Sequence, residues 1–297
     1  MLLAAIVAVV LAAAVPALAG SGSANDFAKG ALGKGDSVKG HSNHNKDFAG
    51  LVDIGGGRQM YMECQGKGSP TVVFVSGGGD RTAVDQPTTV QDGARDLHAL
   101  LSASGERGPY VVVGHSMGGA ISRQYASEYP QDVSGLVLID YTPYDARRLQ
   151  TDEQWKLWQP LLGSPSKEAL ASYPALEQND NQRNVKLVLA AAPLKPMPLI
   201  VLSSDEPYNL IPYAKDGTLP LTIAQAKEFG RVLFQEVLYA RANLVSQVPG
   251  ARHITNTDSG HYIHQEQPKL VIDSVREVVD AVGKKGCKKV GHNTLGS

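Results

Sequence analysis

The segment Tyr110-Val111-Val112-Val113-Gly114-His115-Ser116-Met117-Gly118-Gly119 constrains this chain more than any other. Four strand-forming residues run directly into Gly114-His115-Ser116-Met117-Gly118, a G-x-S-x-G pentad, and a helix-like stretch from Ala120 to Tyr129 follows at once. A serine hydroxyl aimed out of a sheet must sit on a very sharp strand-to-helix turn, which has no room for side chains two residues to either side. Gly114 and Gly118 supply that clearance, and the start of the following helix favours negative charge developing beside Ser116. The pentad alone says little in a chain with 31 glycines among 297 residues. The strand before it and the helix after it make Ser116 the candidate nucleophile rather than part of an ordinary glycine turn.

With its flanks, Gly114-His115-Ser116-Met117-Gly118-Gly119 resembles the nucleophile elbow of the α/β-hydrolase superfamily, in its lipase, esterase and proline-iminopeptidase-like branch. The resemblance covers about residues 50–283. It implies a mostly parallel sheet flanked by helices, a small helical cap inserted after the sixth strand, and catalytic residues in the chain order Ser, acid, His. A serine hydroxyl is a poor nucleophile at neutral pH and needs a base within hydrogen-bond reach, so the base must come late in the chain. The stretch Gly260-His261-Tyr262-Ile263-His264-Gln265-Glu266-Gln267-Pro268 resembles the family's G-H-x-x-x-x-x-x-P, with His261 at the catalytic place. His264 competes from three residues further on, and His253 lies within a strand-like stretch and reads as structural.

The acid is open between two positions. Relatives usually carry it a few residues after the strand that here reads Leu199 to Leu202, which puts Asp205 in Ser203-Ser204-Asp205-Glu206-Pro207 first. Asp140, closing the previous strand, is the alternative used by some branches. Asp258 stands only three residues before His261, too close to orient that ring from behind. The loop Ser76-Gly77-Gly78-Gly79-Asp80 follows an apolar run, Thr71 to Val75, where relatives begin His-Gly. Here Ser76 replaces the His. Gly78 is then the matching oxyanion donor, with the N–H of Met117 as its partner.

The remaining elements follow from pattern. Leu51–Ile54 and Gln59–Glu63 around three glycines read as a hairpin, and Leu97, Leu100 and Leu101 mark a core-facing helix over 94–103. Residues 136–139, 199–202 and 252–256 read as strands, and 268–282 as a last helix. Thr222 with Gln225 opens a helix that runs to about Gln247. Residues 141–196, with Trp155, Trp158 and several prolines, suit a cap of short helices over the site. Residues 76–109 are too few for the helix, strand and second helix that relatives fit there, since a crossover takes at least ~10–12 residues. The domain, residues 48–283, is therefore expected to lack one inner strand of its sheet.

Residues 1–19, MLLAAIVAVVLAAAVPALA, carry no charged side chain and end in Ala17-Leu18-Ala19, as a cleavable signal peptide does. The missing basic start leaves an uncleaved anchor as the alternative. Export leaves a mature chain starting near Gly20 with no stable membrane span, secreted or held in the cell envelope. Residues 20–47 read as a flexible linker, including His41 and His44, and 284–297 as a tail. Cys64 and Cys287 could pair in an oxidising compartment or remain two thiols. A net charge of −1 gives no electrostatic reason to expect nucleic acid.

What the resemblance implies is a serine hydrolase cleaving a small-molecule carboxylic ester, with Ser116, His261 and Asp205 as triad and no metal or cofactor. An aminopeptidase of the same fold, using Glu153, Glu168 or Glu177 for the substrate amine, and a catalytically impaired binding protein are the alternatives. Halide and epoxide chemistry in this fold uses an Asp nucleophile, which Ser116 argues against.

Overall fold

The computed structural model describes residues 6–9, 47–66, 68–78, 87–162 and 178–289. Most of the expected linker, with His41 and His44, lies outside the described residues, as do cap residues Glu168 and Glu177 and the end of the tail.

The strand signal in the sequence is a set of short apolar runs, and the structure shows why they are continuous. In β5 (Tyr110–His115), β6 (Val133–Ile139) and β7 (Leu199–Leu202), alternate residues enter two different cores. Val111, Val113, Val137, Ile139, Ile200 and Leu202 pack on one face, while Val112, Leu136, Leu138, Leu199 and Val201 pack on the other. A strand buried on both faces loses the apolar–polar alternation of a half-exposed one. α1 (Val90–Ser104), α2 (Ser116–Glu128) and α6 (Ile223–Ser246) share the larger core, and α8 (Pro268–Lys289) covers the other face with Val271, Val278 and Val279. α6 opens at the reciprocal Thr222–Gln225 cap, and α1 at a Thr89–Asp92 cap.

The hairpin is present as β2 (Phe48–Gly55) and β3 (Arg58–Gln65). With β4 (Val72–Val75) and β8 (Arg252–Ile254) the sheet has the order β2-β3-β1-β4-β5-β6-β7-β8 among the described residues. β1 is Ile6–Val9. It pairs antiparallel with β3, Val7 opposite Cys64, and parallel with β4, Val7 opposite Val73. The expectation of an inner strand missing from the sheet is therefore corrected. Residues 76–109 hold α1 and, among those described, no strand, but the place between β3 and β4 is filled from the N-terminal apolar run. The physical reason is that two facing strand edges carry unpaired N–H and C=O groups, which a third backbone satisfies from both sides.

The last helix continues to Lys289, past the expected boundary at 283. Of the two states left open for Cys64, the structure has the free, buried thiol, whose burial pushes its pKa up to about 12. In the cap region lie α3 (Asp152–Trp158), a 3₁₀ turn at Gln159–Leu161 and α4 (Asn181–Ala190). Between β7 and α6 comes α5 (Ile211–Lys215), and α7 (Ile263–Glu266) precedes α8. No helix among the described residues is long and apolar enough to cross a membrane.

Candidate active site

Ser116 sits where β5 becomes α2, with φ at +54°. A non-glycine residue there is strained, and the surroundings enforce the turn. A methyl group on Gly114 would come within 2.4 Å of Ser122 Oγ, and one on Gly118 within 2.0 Å of the Ser76 carbonyl oxygen. The two glycines flanking Ser116 are thus demanded by contact, as the sequence pattern required.

Ser116 Oγ lies 3.1 Å from His261 Nε2. His261 is held in a loop between β8 and α7, with its side chain 44% exposed, so a reactant can reach it. Its backbone carbonyl receives a hydrogen bond from His115 Nε2 at 3.0 Å. Burial holds the His115 imidazole down at about 4, so it is neutral and the hydrogen on Nε2 serves this contact. His264, in α7, stacks edge-on to His115 with ring centres 4.6 Å apart and does not reach Ser116. Burial lowers its pKa, and His261 lowers it further.

The acid beside His261 is Asp140. Its Oδ2 stands 2.6 Å from His261 Nδ1, while Oδ1 accepts from the Ser204 backbone N–H at 2.9 Å and from Arg241 Nη1 at 2.5 Å. Asp205, ranked first from sequence, points elsewhere. Its exposed carboxylate accepts the N–H of Asp258 at 2.6 Å and fastens the loop that carries His261. The difference arises because β6 and β7 are parallel neighbours with Ile139 paired to Leu202, so Asp140 and Ser203 leave the sheet side by side. The residue directly after β6 falls behind the imidazole, whereas Asp205 lies two residues further out.

Asp140 is 5% exposed and Arg241 only 1%. Burial by itself would raise the carboxyl pKa, yet the Arg241 guanidinium, with hydrogen bonds from His261 and the Ser204 N–H, holds it well below the usual carboxylate range. Arg241 also donates to Ser203 Oγ at 3.1 Å, and to the Tyr141 carbonyl from Nε at 3.1 Å and from Nη2 at 2.6 Å. Sequence reasoning passed over Arg241. A signal existed: it lies on the buried stripe Phe229, Leu233, Val237, Ala240, Leu244 of α6, where an arginine needs a partner. His253 lies within β8, its Nε2 2.8 Å from Ser203 Oγ.

Ser116 and His261 open into a cleft of about 420 Å³ lined by Phe74, Gly77, Gly78, Tyr262 and Gln265, with Val113, Ile139 and Val271 deeper in. The loop after β4 borders Ser116. A methyl on Gly77 would be 3.4 Å from Ser116 Cβ, and one on Gly78 would be 3.7 Å from Met117 Cβ. Among the described lining residues none comes from 141–196, and none is acidic. Trp155 and Trp158, in the region expected to form a cap, are buried in the larger core.

A family model of the alpha/beta hydrolase fold matches residues 76–179. Lipase LipV of Mycobacterium tuberculosis is 46% identical over 54 residues, which is 18% of this chain and 20% of that lipase. The 2-(acetamidomethylene)succinate hydrolase of Mesorhizobium japonicum is 25% identical over 222 residues, 66% of this chain and 74% of that protein. Among solved structures, carboxylesterase CesB of Bacillus subtilis superposes with a TM-score of 0.46 at 14% identity, covering 78% of this chain and 91% of that one. The family match, together with the sheet order and the strand–elbow–helix, gives the chain the α/β-hydrolase fold. The lipase alignment spans about a fifth of that enzyme.

Proposed function

We propose that this chain is a serine hydrolase that cleaves a carboxylic ester through an acyl-enzyme on Ser116. One observation carries the reading: the continuous contact Ser116 Oγ to His261 Nε2 at 3.1 Å and His261 Nδ1 to Asp140 Oδ2 at 2.6 Å, on a serine strained at φ +54°. In the proposed reaction Ser116 Oγ attacks the ester carbonyl carbon as its proton passes to His261 Nε2. Asp140 accepts from Nδ1–H, which fixes the tautomer and stabilises the imidazolium. The N–H groups of Gly78 and Met117 receive the oxyanion. His261 returns the proton to the departing alcohol, the C–O bond breaks, and water repeats the sequence on the acyl-enzyme.

The cleft supports a small acyl or alcohol group, since 420 Å³ is near the lower end of small-molecule sites. An aminopeptidase finds less support. Such an enzyme needs a carboxylate for the substrate amine, and Glu153 is exposed on α3, outside the described lining of the cleft. Export belongs to the proposal through the uncharged run at residues 1–19 alone. Hydrolysis of nitrophenyl esters from acetate to palmitate, beside an aminoacyl nitroanilide, tests the reading. Turnover highest on short esters and absent on the anilide is expected. The reverse preference would replace the esterase by the peptidase.

A further inference from the structure

We propose that Arg241 is a positioning residue of this site, which holds Asp140 in register with His261 and sets the acid end of the pH range in which the site works. The proposal rests on the reading of Ser116, His261 and Asp140 as the catalytic set. The two carboxylate oxygens are divided between a standing cation and the imidazole that gains charge in the reaction: Oδ1 belongs to Arg241 Nη1 and the Ser204 N–H, and Oδ2 to His261 Nδ1. Asp140 itself has φ +41°, a conformation that a non-glycine residue keeps only when its contacts over-determine it. The guanidinium clamps both sides of this residue, its carboxylate and the carbonyl of the next residue, Tyr141. A planar fork with several donors can hold that geometry, and a single ammonium cannot.

The electrostatic consequence follows from the shared carboxylate. A buried positive charge on the far side of Asp140 opposes formation of the His261 imidazolium, because like charges across one anion share its field. The other groups facing His261 are Ser116, the neutral His115, and Tyr262 and His264 from its own loop and α7. Glu206 and Glu266 approach Gly260, one residue away. Facing Arg241 besides Asp140 are Ser203, His253 and Tyr208, none of them anionic at neutral pH. Arg241 is thus the cation against which His261 must charge. Removing that cation leaves the Asp140 carboxylate to His261 alone.

The test is the pH profile of kcat/KM on nitrophenyl acetate for wild type, Arg241→Lys, Arg241→Met and Ser116→Ala, with a melting curve for each. Arg241→Met should lower kcat ~10- to 100-fold with KM within about twofold, and move the acid limb upward by ~1 pH unit. Arg241→Lys, which keeps the charge, should leave the limb near its wild-type position and recover part of kcat. If Arg241→Met does not fold, Arg241→Gln, which keeps donors without charge, should show the same upward limb. A folded Arg241→Met or Arg241→Gln with an unmoved limb and only a lower melting point would overturn the proposal and leave Arg241 a purely structural ion pair. A wild type whose turnover survives Ser116→Ala would instead overturn the catalytic reading, and this proposal with it.

Discussion

Nδ1 of His261 lies 2.6 Å from Oδ2 of Asp140, a residue 121 positions earlier in the chain. That contact joins the end of β6 to the loop after β8 across the end of β7, and it makes the acid a property of sheet order rather than of spacing along the sequence.

The two candidate acids separate by substitution. Asp140→Asn should lower kcat by ~10⁴, as expected when the histidine loses the partner that fixes its tautomer. Asp205→Asn keeps an oxygen that accepts the Asp258 N–H, removes only the charge, and should cost less than ~10-fold. Initial rates on one ester, with circular dichroism as a folding control, check both. Reversed magnitudes would return the acid to Asp205.

Stability should fall as the pH drops from about 6.5 towards 4. Burial pushes the His115 and His253 imidazoles down to about 4 in the folded chain, while unfolding returns them to their ordinary value of 6.5. Between those values the unfolded chain binds more protons, so the folded state loses ground throughout that window and keeps its full margin above it. Asp140, held below the usual range, contributes stability that is lost only at lower pH. Melting temperature against pH should therefore slope in this window, and less steeply in His253→Asn. A flat wild-type curve from 6.5 to 4 would contradict the account.

A chain beginning at Gly20 lacks β1 and leaves β3 and β4 facing each other without backbone partners. It should melt lower than the full chain by roughly 5 °C or more. N-terminal sequencing from the native host belongs with this measurement. A protein that starts near Gly20 and melts like the full chain would show that residues 6–9 are dispensable to the sheet and would favour the exported reading.

Much of this molecule was legible in sequence because its signals are local. The elbow announces itself through Gly114 and Gly118, whose Cβ positions are occupied by neighbours, and the Thr222–Gln225 cap marks the start of α6. The place of His261 beside Ser116 followed from its motif. What escaped was set by neighbours distant along the chain. Asp140 and Asp205 both follow strands, and only the parallel pairing of β6 with β7 shows which one stands behind the imidazole. The pairing of residues 6–9 with β3 and β4 was not legible either, because an uncharged apolar run carries no mark of the strand edges it meets. Arg241 gave a sign in the form of a charge on an apolar stripe, but the stripe does not name the partner.

The central claim is that Ser116 is activated by His261 and Asp140. Labelling with a fluorophosphonate probe, followed by identification of the modified residue, tests it most directly, since phosphonylation requires a serine whose proton a nearby base removes. Stoichiometric labelling of Ser116 is expected in wild type, lost in Ser116→Ala and strongly slowed in Asp140→Asn, with all three chains folded. A folded wild type that stays unlabelled, or is labelled on another residue, would contradict the account.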